Sequence, residues 1–287
     1  MVLEHEIPEG SKLHFGLSAA LKRKIETLSA NLFYEYGFEE IVSPTFVYQE
    51  HQKSFLNRNV IHLSSEKNHQ IAMRNDSTID TIRIITKRLG RSTTQKKWFY
   101  IQPVFSYPTI EHNQIGVECL DSSEYPKIIE LGIHIFKSLG ITPLLQITNA
   151  RIAKVCAENT DLSYMDFSAL HIEKLQSIDF LSRLLKVNDV AGLKAFLPTC
   201  PTFLRDEIIH LLELCNCDYE NLVCAPLLPV PVEYYDDLFF RMTLQNLTFL
   251  SGGISSIDNV QSCGFGIYTD SVVYYLLKQN KTAIKDI

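Results

Sequence analysis

Few residues in this chain stand at spacings that chemistry commonly uses. Cys200, Cys215, Cys217 and Cys224 fall within 25 positions with His210 among them, the residue types a zinc ion takes. Structural zinc sites usually present Cys-x-x-Cys pairs, and the only close pair here is Cys-x-Cys, inside LLELCNCDYENL. The cluster is read as buried free thiols, and no metal is expected. Glu39-Glu40 and Asp236-Asp237 are adjacent carboxylates whose side chains point apart on a strand, so paired-carboxylate catalysis is not expected. Gly264-Phe-Gly266 stops short of a dinucleotide loop, and there is neither a Walker-type phosphate loop nor a Gly-x-Ser-x-Gly elbow. The basic KKW at 96–98 reads as the solvated start of a strand.

The composition narrows the classes further. The chain has 287 residues, 46% of them hydrophobic and 21% charged, with 27 basic against 33 acidic residues for a net charge of −6. Such a balance gives no wide basic surface for a nucleic-acid backbone. With only 12 Gly and 11 Pro, a collagenous or disordered chain is excluded. No apolar run approaches 18 residues, so no membrane span is expected, and the N-terminus shows no basic region followed by an apolar one. Seven cysteines, an odd number, in an unexported chain fit reduced thiols in the cytoplasm.

The elements that must carry any site follow from periodicity. Leu13, Leu17, Leu21, Ile25, Leu28, Leu32 and Tyr36 recur at steps of three and four, predicting a helix over 11–36 that Gly37 closes. IVSPTFVY (41–48) reads as an irregular edge strand because of Pro44, and HQIAMR (69–74) as a short strand. Ser77 is placed as an N-cap, with Ile79, Ile82, Ile85 and Leu89 as a helical stripe that Gly90 stops. KWFYIQPVF (97–105) and QIGVECLD (114–121) read as two strands, Pro126 to Gly140 as a helix, and LLQIT (144–148) as a strand. Residues 150–225 are mostly helical in pattern. Strand character returns after Pro226, Pro229 and Pro231, with YYDDLFFRMTLQNLTFLSGG ending in a Gly-Gly turn, then CGFGIY (263–268) and a terminal helix from SVVYYLLKQ. Sheet, helices and sheet again predict an α+β fold: a largely antiparallel sheet domain at 1–149 and 226–287, interrupted by a helical insertion at 150–225.

Several segments together resemble the catalytic domain of histidyl-tRNA synthetases, a class II synthetase fold. The first helix with YGFEEIVSPTF resembles that family's first motif, MRNDSTIDTIRI its Arg-Pro-Glu-x-Thr segment, and WFYIQPVFSYPTIEHNQIGVECLD its second motif. EYYDDLFF, LSGGISSIDNV and CGFGIYTDSVV follow in the family's order as the tyrosine element, the Gly-Gly turn and the third motif, so that the resemblance covers about 10–277. It implies a dimer across the Pro44 strand. It also implies an amino-acid pocket in which Asp76 and Thr78 meet an amino group, Gln114 and Glu118 meet the amino group and an imidazole, and Tyr234 and Tyr235 flank the ring. Each has a plainer use as well: Asp76 at a helix N-terminus, Gln114 and Glu118 on a polar strand face, the tyrosines as sheet aromatics.

The departures from the family carry most of the functional reading. Ser106 stands at the second-motif arginine, Pro108 at its nearby carboxylate, Ser271 at the third-motif arginine, Val230 at the arginine preceding the tyrosines, and Ile254-Ser255-Ser256 at an Arg-Tyr-Asp. Adenylation brings a carboxylate against an α-phosphate, and the planar guanidinium fork is what offsets that repulsion. Removing one preorganised donor typically costs ~10²–10³ in rate. The chain also stops where the family continues into an anticodon-binding domain. The resemblance therefore implies no catalysis, no cofactor and no nucleic acid. It points instead to a synthetase-like regulatory subunit that pairs with the short-form ATP phosphoribosyltransferase catalytic subunit of histidine biosynthesis, with histidine as the candidate ligand. The alternatives are an amino acid-activating ligase and a binding module with an unrelated partner.

Overall fold

The computed structural model describes residues 6–52, 59–63, 70–231 and 234–285, with backbone alone at 52 and from 280 onward. The first five residues, His69 and Glu233, which enter the sequence reading above, lie outside the described residues. In chain order the elements are α1 (Leu17–Glu35), β1 (Glu39–Glu40), β2 (Phe46–Tyr48), β3 (His62–Leu63), β4 (Ile71–Met73), α2 (Ser77–Ile84), β5 (Lys97–Ser106), β6 (Ile110–Cys119), α3 (Tyr125–Ser138) and β7 (Leu144–Asn149). Six helices follow, α4 (Arg151–Glu158), α5 (Tyr164–Ser168), α6 (Ile172–Gln176), α7 (Asp179–Leu184), α8 (Val190–Phe196) and α9 (Arg205–Leu214). The chain then returns through β8 (Leu222–Cys224), β9 (Tyr235–Leu244), β10 (Leu247–Ile257), β11 (Val260–Tyr268) and α10 (Thr269–Lys285).

Among the described residues, the main sheet has the strand order β1-β5-β6-β11-β10-β9-β7-β8. Its interior pairs are antiparallel, and the parallel pairs are confined to the two edges, β1 with β5 and β7 with β8. Period-2 alternation divides its residues into two faces. One face is apolar: Phe99, Ile115, Val117, Phe265, Ile267, Phe240 and Ile147 are all essentially solvent-free and form one cluster with Ile25 and Phe33 of α1 and Ile135 and Phe136 of α3. Phe33 lies 5.1 Å from Phe99 and 6.3 Å from Phe265, ring to ring, so α1 is keyed across two strands. Full burial of each such side chain is worth about 2 kcal/mol. Leu175, Leu181, Leu184, Leu193, Ile208 and Leu211 of the six-helix segment are buried in the same cluster.

The structure bears out the α+β reading and revises it locally. The first helix begins at Leu17, after Gly16 with φ of 51°; Leu13 and Leu17 are exposed, and Ile25, Leu32 and Phe33 supply the buried contact. The N-cap of α2 is Asp76 rather than Ser77, because Asp76 is the residue in extended backbone whose Oδ1 accepts from the Ile79 amide at 2.9 Å. The helix then continues as a π-helical turn over Ile85–Leu89. Gly252-Gly253 is not a turn but the middle of β10. The turns of this meander are made by Gln245 with φ of 55° and by Asp258 and Asn259 with φ of 50° and 64°.

The reason for glycine inside β10 and β11 is close approach. A Cβ on Gly253 would lie 2.1 Å from the Leu238 carbonyl oxygen, and one on Gly264 would lie 2.1 Å from the Val117 carbonyl oxygen and 2.6 Å from Glu118 Oε2. A Cβ on Gly266, two residues further along β11, has the Tyr100 hydroxyl 4.0 Å away as its nearest neighbour. Gly264→Ala should therefore lower unfolding free energy by about 2 kcal/mol or more through backbone displacement, whereas Gly266→Ala should change it by less than about 1 kcal/mol. Urea unfolding of the two variants checks this, and equal losses would contradict the geometry.

Candidate functional site

The second face of the sheet is where the chemistry-bearing residues collect. On β6, Gln114, Gly116 and Glu118 share it, because Ile115, Val117 and Cys119 take the core side. The register sets Gln102, Tyr100 and Trp98 of β5 beside them on one flank, and Tyr268, Gly266 and Gly264 of β11 on the other. The glycines leave room for large neighbours. The Tyr100 ring lies over Gly116, where a Cβ would be 2.3 Å from its hydroxyl, and the Glu118 carboxylate lies over Gly264.

α2 closes over this floor. Arg74, only 1% exposed, fixes its approach: Nε and Nη2 donate to the Pro103 carbonyl at 3.1 and 2.8 Å, and Nη1 donates to the carbonyls of Ser43 and Pro44 at 3.0 and 2.9 Å. A single guanidinium thus ties the Pro44 segment, β5 and the start of α2 together. Gln102 adds to the joint, donating through Nε2 to Ser43 Oγ at 3.0 Å and Ser77 Oγ at 3.3 Å.

Five of the six residues singled out from the sequence come together here. Asp76 accepts through Oδ2 from the Tyr234 hydroxyl at 3.4 Å while its Oδ1 caps α2. The Tyr234 and Tyr235 rings meet edge-on with centroids 4.7 Å apart, and Tyr235 continues to Phe239 at 5.3 Å. The Thr78 hydroxyl hydrogen-bonds Glu118 and stands 3.5 Å from the Tyr100 hydroxyl. Gln114 lies on the same face but one step away from the cluster, between Gln102 and Tyr268 in register, and is partly exposed. Tyr100 escaped the sequence reading. The alternation of KWFYIQPVF, aligned so that Tyr100 meets Gly116, is the signal that locates it.

The electrostatics of the cluster are one-sided. Asp76, Tyr100, Glu118, Tyr234 and Tyr235 are all at least nine-tenths buried. Burial is the main cause that pushes the phenols of Tyr100, Tyr234 and Tyr235 well above their ordinary range, and the charges of Glu118 and Asp76 push them further. Burial likewise raises the Glu118 carboxyl well above its usual value; the Thr78 hydrogen bond opposes the shift and Asp76 adds to it. Such a constellation disfavours another anion and favours a proton or a cationic group.

Along the same face, next to Phe239, opens a cleft of about 530 Å³ lined also by Arg241, Ser251, Tyr268, Asp270 and Ser271. Ser271 occupies the first turn of α10. Ser106 is buried at the end of β5, and Val230 packs against the small cluster containing Ile79, Tyr234 and Tyr235. The cysteine-rich segment is organised otherwise. Cys215 and Cys224 face each other as free thiols, and His210 turns to Asp237, Nε2 to Oδ1 at 2.6 Å. Among the described residues no group of three or more His, Cys, Asp or Glu is arranged to hold a metal, and no helix is long and apolar enough to cross a membrane.

A carboxyl whose folded pKa lies above its unfolded value keeps its proton in the folded chain after the unfolded chain has lost it. Stability then falls as pH rises from the unfolded value, near 4.5 for Glu118, toward the raised folded value. Glu118→Gln removes that loss, so the variant should gain stability relative to the parent between pH 4 and pH 7. Urea unfolding at both pH values measures the difference, and a variant that loses ground on going to pH 7 would contradict the burial argument.

Comparison with known proteins agrees with this geometry. The histidyl-tRNA synthetase family model matches residues 17–205. The chain is 47% identical over 283 residues to a protein of Wolinella succinogenes named ATP phosphoribosyltransferase regulatory subunit, covering 98% of this chain and 99% of that protein. It is 46% identical to a Helicobacter hepaticus protein of the same name, covering 96% and 100%. A histidine–tRNA ligase of Chlamydia abortus is 22% identical across 93% of this chain and 71% of its own length. Among solved structures, a histidine–tRNA ligase subunit from Alicyclobacillus acidocaldarius superposes with a TM-score of 0.80 at 18% identity, covering 96% of this chain and 98% of that one. An ATP phosphoribosyltransferase regulatory subunit/histidyl-tRNA synthetase from Bacillus halodurans superposes with a TM-score of 0.78, also at 18% identity, covering 96% and 83%. With near-complete coverage in both directions and the class II sheet in place, the chain belongs to the family of ATP phosphoribosyltransferase regulatory subunits, built on the histidyl-tRNA synthetase fold.

Proposed function

We propose that this chain is a non-catalytic regulatory subunit that binds the short-form ATP phosphoribosyltransferase catalytic subunit, enables its activity and couples it to histidine, the product of the pathway. The observation that carries the reading is full-length identity of 46–47% to proteins of that name, in a chain with Ser106, Ser271 and Val230 at the positions where a synthetase places arginine. Those guanidinium forks are what a synthetase sets around an α-phosphate and a carboxylate, so their replacement by serine and valine supports a non-catalytic role. Asp76, Thr78, Glu118, Tyr234 and Tyr235, with Gln114 at the margin, are the residues proposed to meet histidine, because two carboxyl groups and phenols satisfy an ammonium and an imidazole. The same reading treats 150–225 as a helical insertion into a synthetase-like unit, and places the protein in the cytoplasm, without a nucleic-acid partner.

A homodimer belongs to this proposal. Val42, Phe46 and Tyr48 on the Pro44 segment are 82%, 62% and 55% exposed, and Leu13, Phe15 and Leu17 before and at the start of α1 are exposed as well. Large apolar side chains in such numbers at one motif support burial against a second copy. Sedimentation at micromolar concentration should give a dimer or larger species, and a monomer would contradict this part of the reading.

The direct test is reconstitution with a purified short-form catalytic subunit. The two chains should co-elute, and the rate of phosphoribosyl transfer to ATP should rise at least tenfold over that of the catalytic subunit alone. Failure to form a complex, or a complex with no change in rate, would overturn the proposal.

A further inference from the structure

The cleft beside the aromatic cluster holds a charge whose protein partners are incomplete. Arg241 projects from β9 on the same face as Phe239 and is half-buried. Its Nε donates to Gln146 Oε1 at 2.7 Å, which fixes the plane of the guanidinium, and no carboxylate of the described residues lies within 4 Å of it. Burial lowers the Arg241 pKa, and no acidic side chain among the described residues offsets it. An arginine does not shed its proton in a protein, so the charge stays and the desolvation goes unoffset.

The rest of the wall tells which anion suits it. Asp270 is the carboxylate among the described residues lining this cleft, and both its oxygens are hydrogen-bonded: Oδ1 meets His14 Nε2 at 3.1 Å and the Asn113 amide group at 3.2 Å, and Oδ2 accepts from the Asn113 backbone N–H at 3.1 Å. Ser251 and Tyr268 hydroxyls lie 2.9 Å apart in the lining, and Phe239 and Leu247 supply apolar surface. About 530 Å³ is a volume typical of small-molecule sites. One guanidinium balances one negative charge, and Asp270 in the same wall repels a second. The outer edge of a planar guanidinium, with Nε already occupied, matches the two oxygens of a carboxylate.

We propose that the Arg241 cleft is a binding site for a small monocarboxylate with an apolar or aromatic body, its carboxylate on the Arg241 fork and its body on Phe239 and Leu247. This site is separate from the proposed carboxylate-rich pocket at Asp76 and Glu118, and its test does not depend on the regulatory role.

Sodium benzoate, benzamide and phenyl phosphate serve as probes in calorimetry with the full chain. Benzoate should bind saturably in the millimolar range, and its neutral isostere benzamide at least tenfold more weakly. Arg241→Gln should reduce benzoate affinity by about tenfold or more, the loss expected for a hydrogen-bonded charge, with unchanged circular dichroism and little change in melting temperature. Lys127→Gln, on α3 and outside the cleft lining, should leave benzoate binding intact. Benzoate binding that survives Arg241→Gln, benzamide binding as tightly as benzoate, or no benzoate binding up to 20-fold above the millimolar range would each overturn the proposal. Phenyl phosphate binding more tightly than benzoate would overturn the choice of a carboxylate.

Discussion

The architecture of the polar face depends on the near approach of backbone and side chain at glycine. Gly116, Gly253 and Gly264 sit where a methyl group would strike Tyr100, the Leu238 carbonyl or the Val117 carbonyl. Because β6, β10 and β11 carry no side chains at these points, the Tyr100 ring, the Glu118 carboxyl and the Tyr235 ring can lie down on the sheet and meet α2 from below. The same backbone contacts hold the strands in register, and the register decides which residues share a face. The opposite face, packed by α1 and α3, supplies the apolar burial that keeps this arrangement in place.

Two charge environments lie side by side on that face. Around Asp76 and Glu118 the side chains are acidic or phenolic and deeply buried, so protons are held and further anions are repelled. Around Arg241 a guanidinium joins the wall, with Asp270 hydrogen-bonded to His14 and Asn113. Arg74, in contrast, is consumed by carbonyl groups and serves as a structural joint between the Pro44 segment and α2. Its complete burial and multiple acceptors make it costly to remove, and leave it no role toward a ligand. The buried arginine on this side of the sheet thus serves the fold.

Much of this could be read in the sequence. The long helical stripe, the two long strands at 97 and 114 and the strand return after Pro226 gave the α+β class, and Asp76, Thr78, Glu118, Tyr234 and Tyr235 do converge. What the sequence concealed was tertiary. Gly252-Gly253 looks like a turn because glycine usually marks one, and only the neighbouring carbonyls of β9 and β11 reveal a strand that needs to be bare. Asp76 and Ser77 are both acceptable caps, and the choice turns on which residue is extended. Arg241 and Tyr100 sit in strands with no motif around them. Their place follows from register, which long-range pairing sets and local pattern does not.

The account rests on the claim that this fold has kept a polar sheet face while giving up adenylate chemistry. Histidine-dependent exchange of labelled pyrophosphate into ATP measures that chemistry directly, since exchange requires the adenylate to form and reverse. With the purified chain, histidine and magnesium ATP, exchange should stay at the level of a protein-free control, and should remain there with each of the other amino acids. Exchange clearly above that control, dependent on an amino acid and lost on Glu118→Ala, would show that the face still activates a carboxylate and would contradict the account.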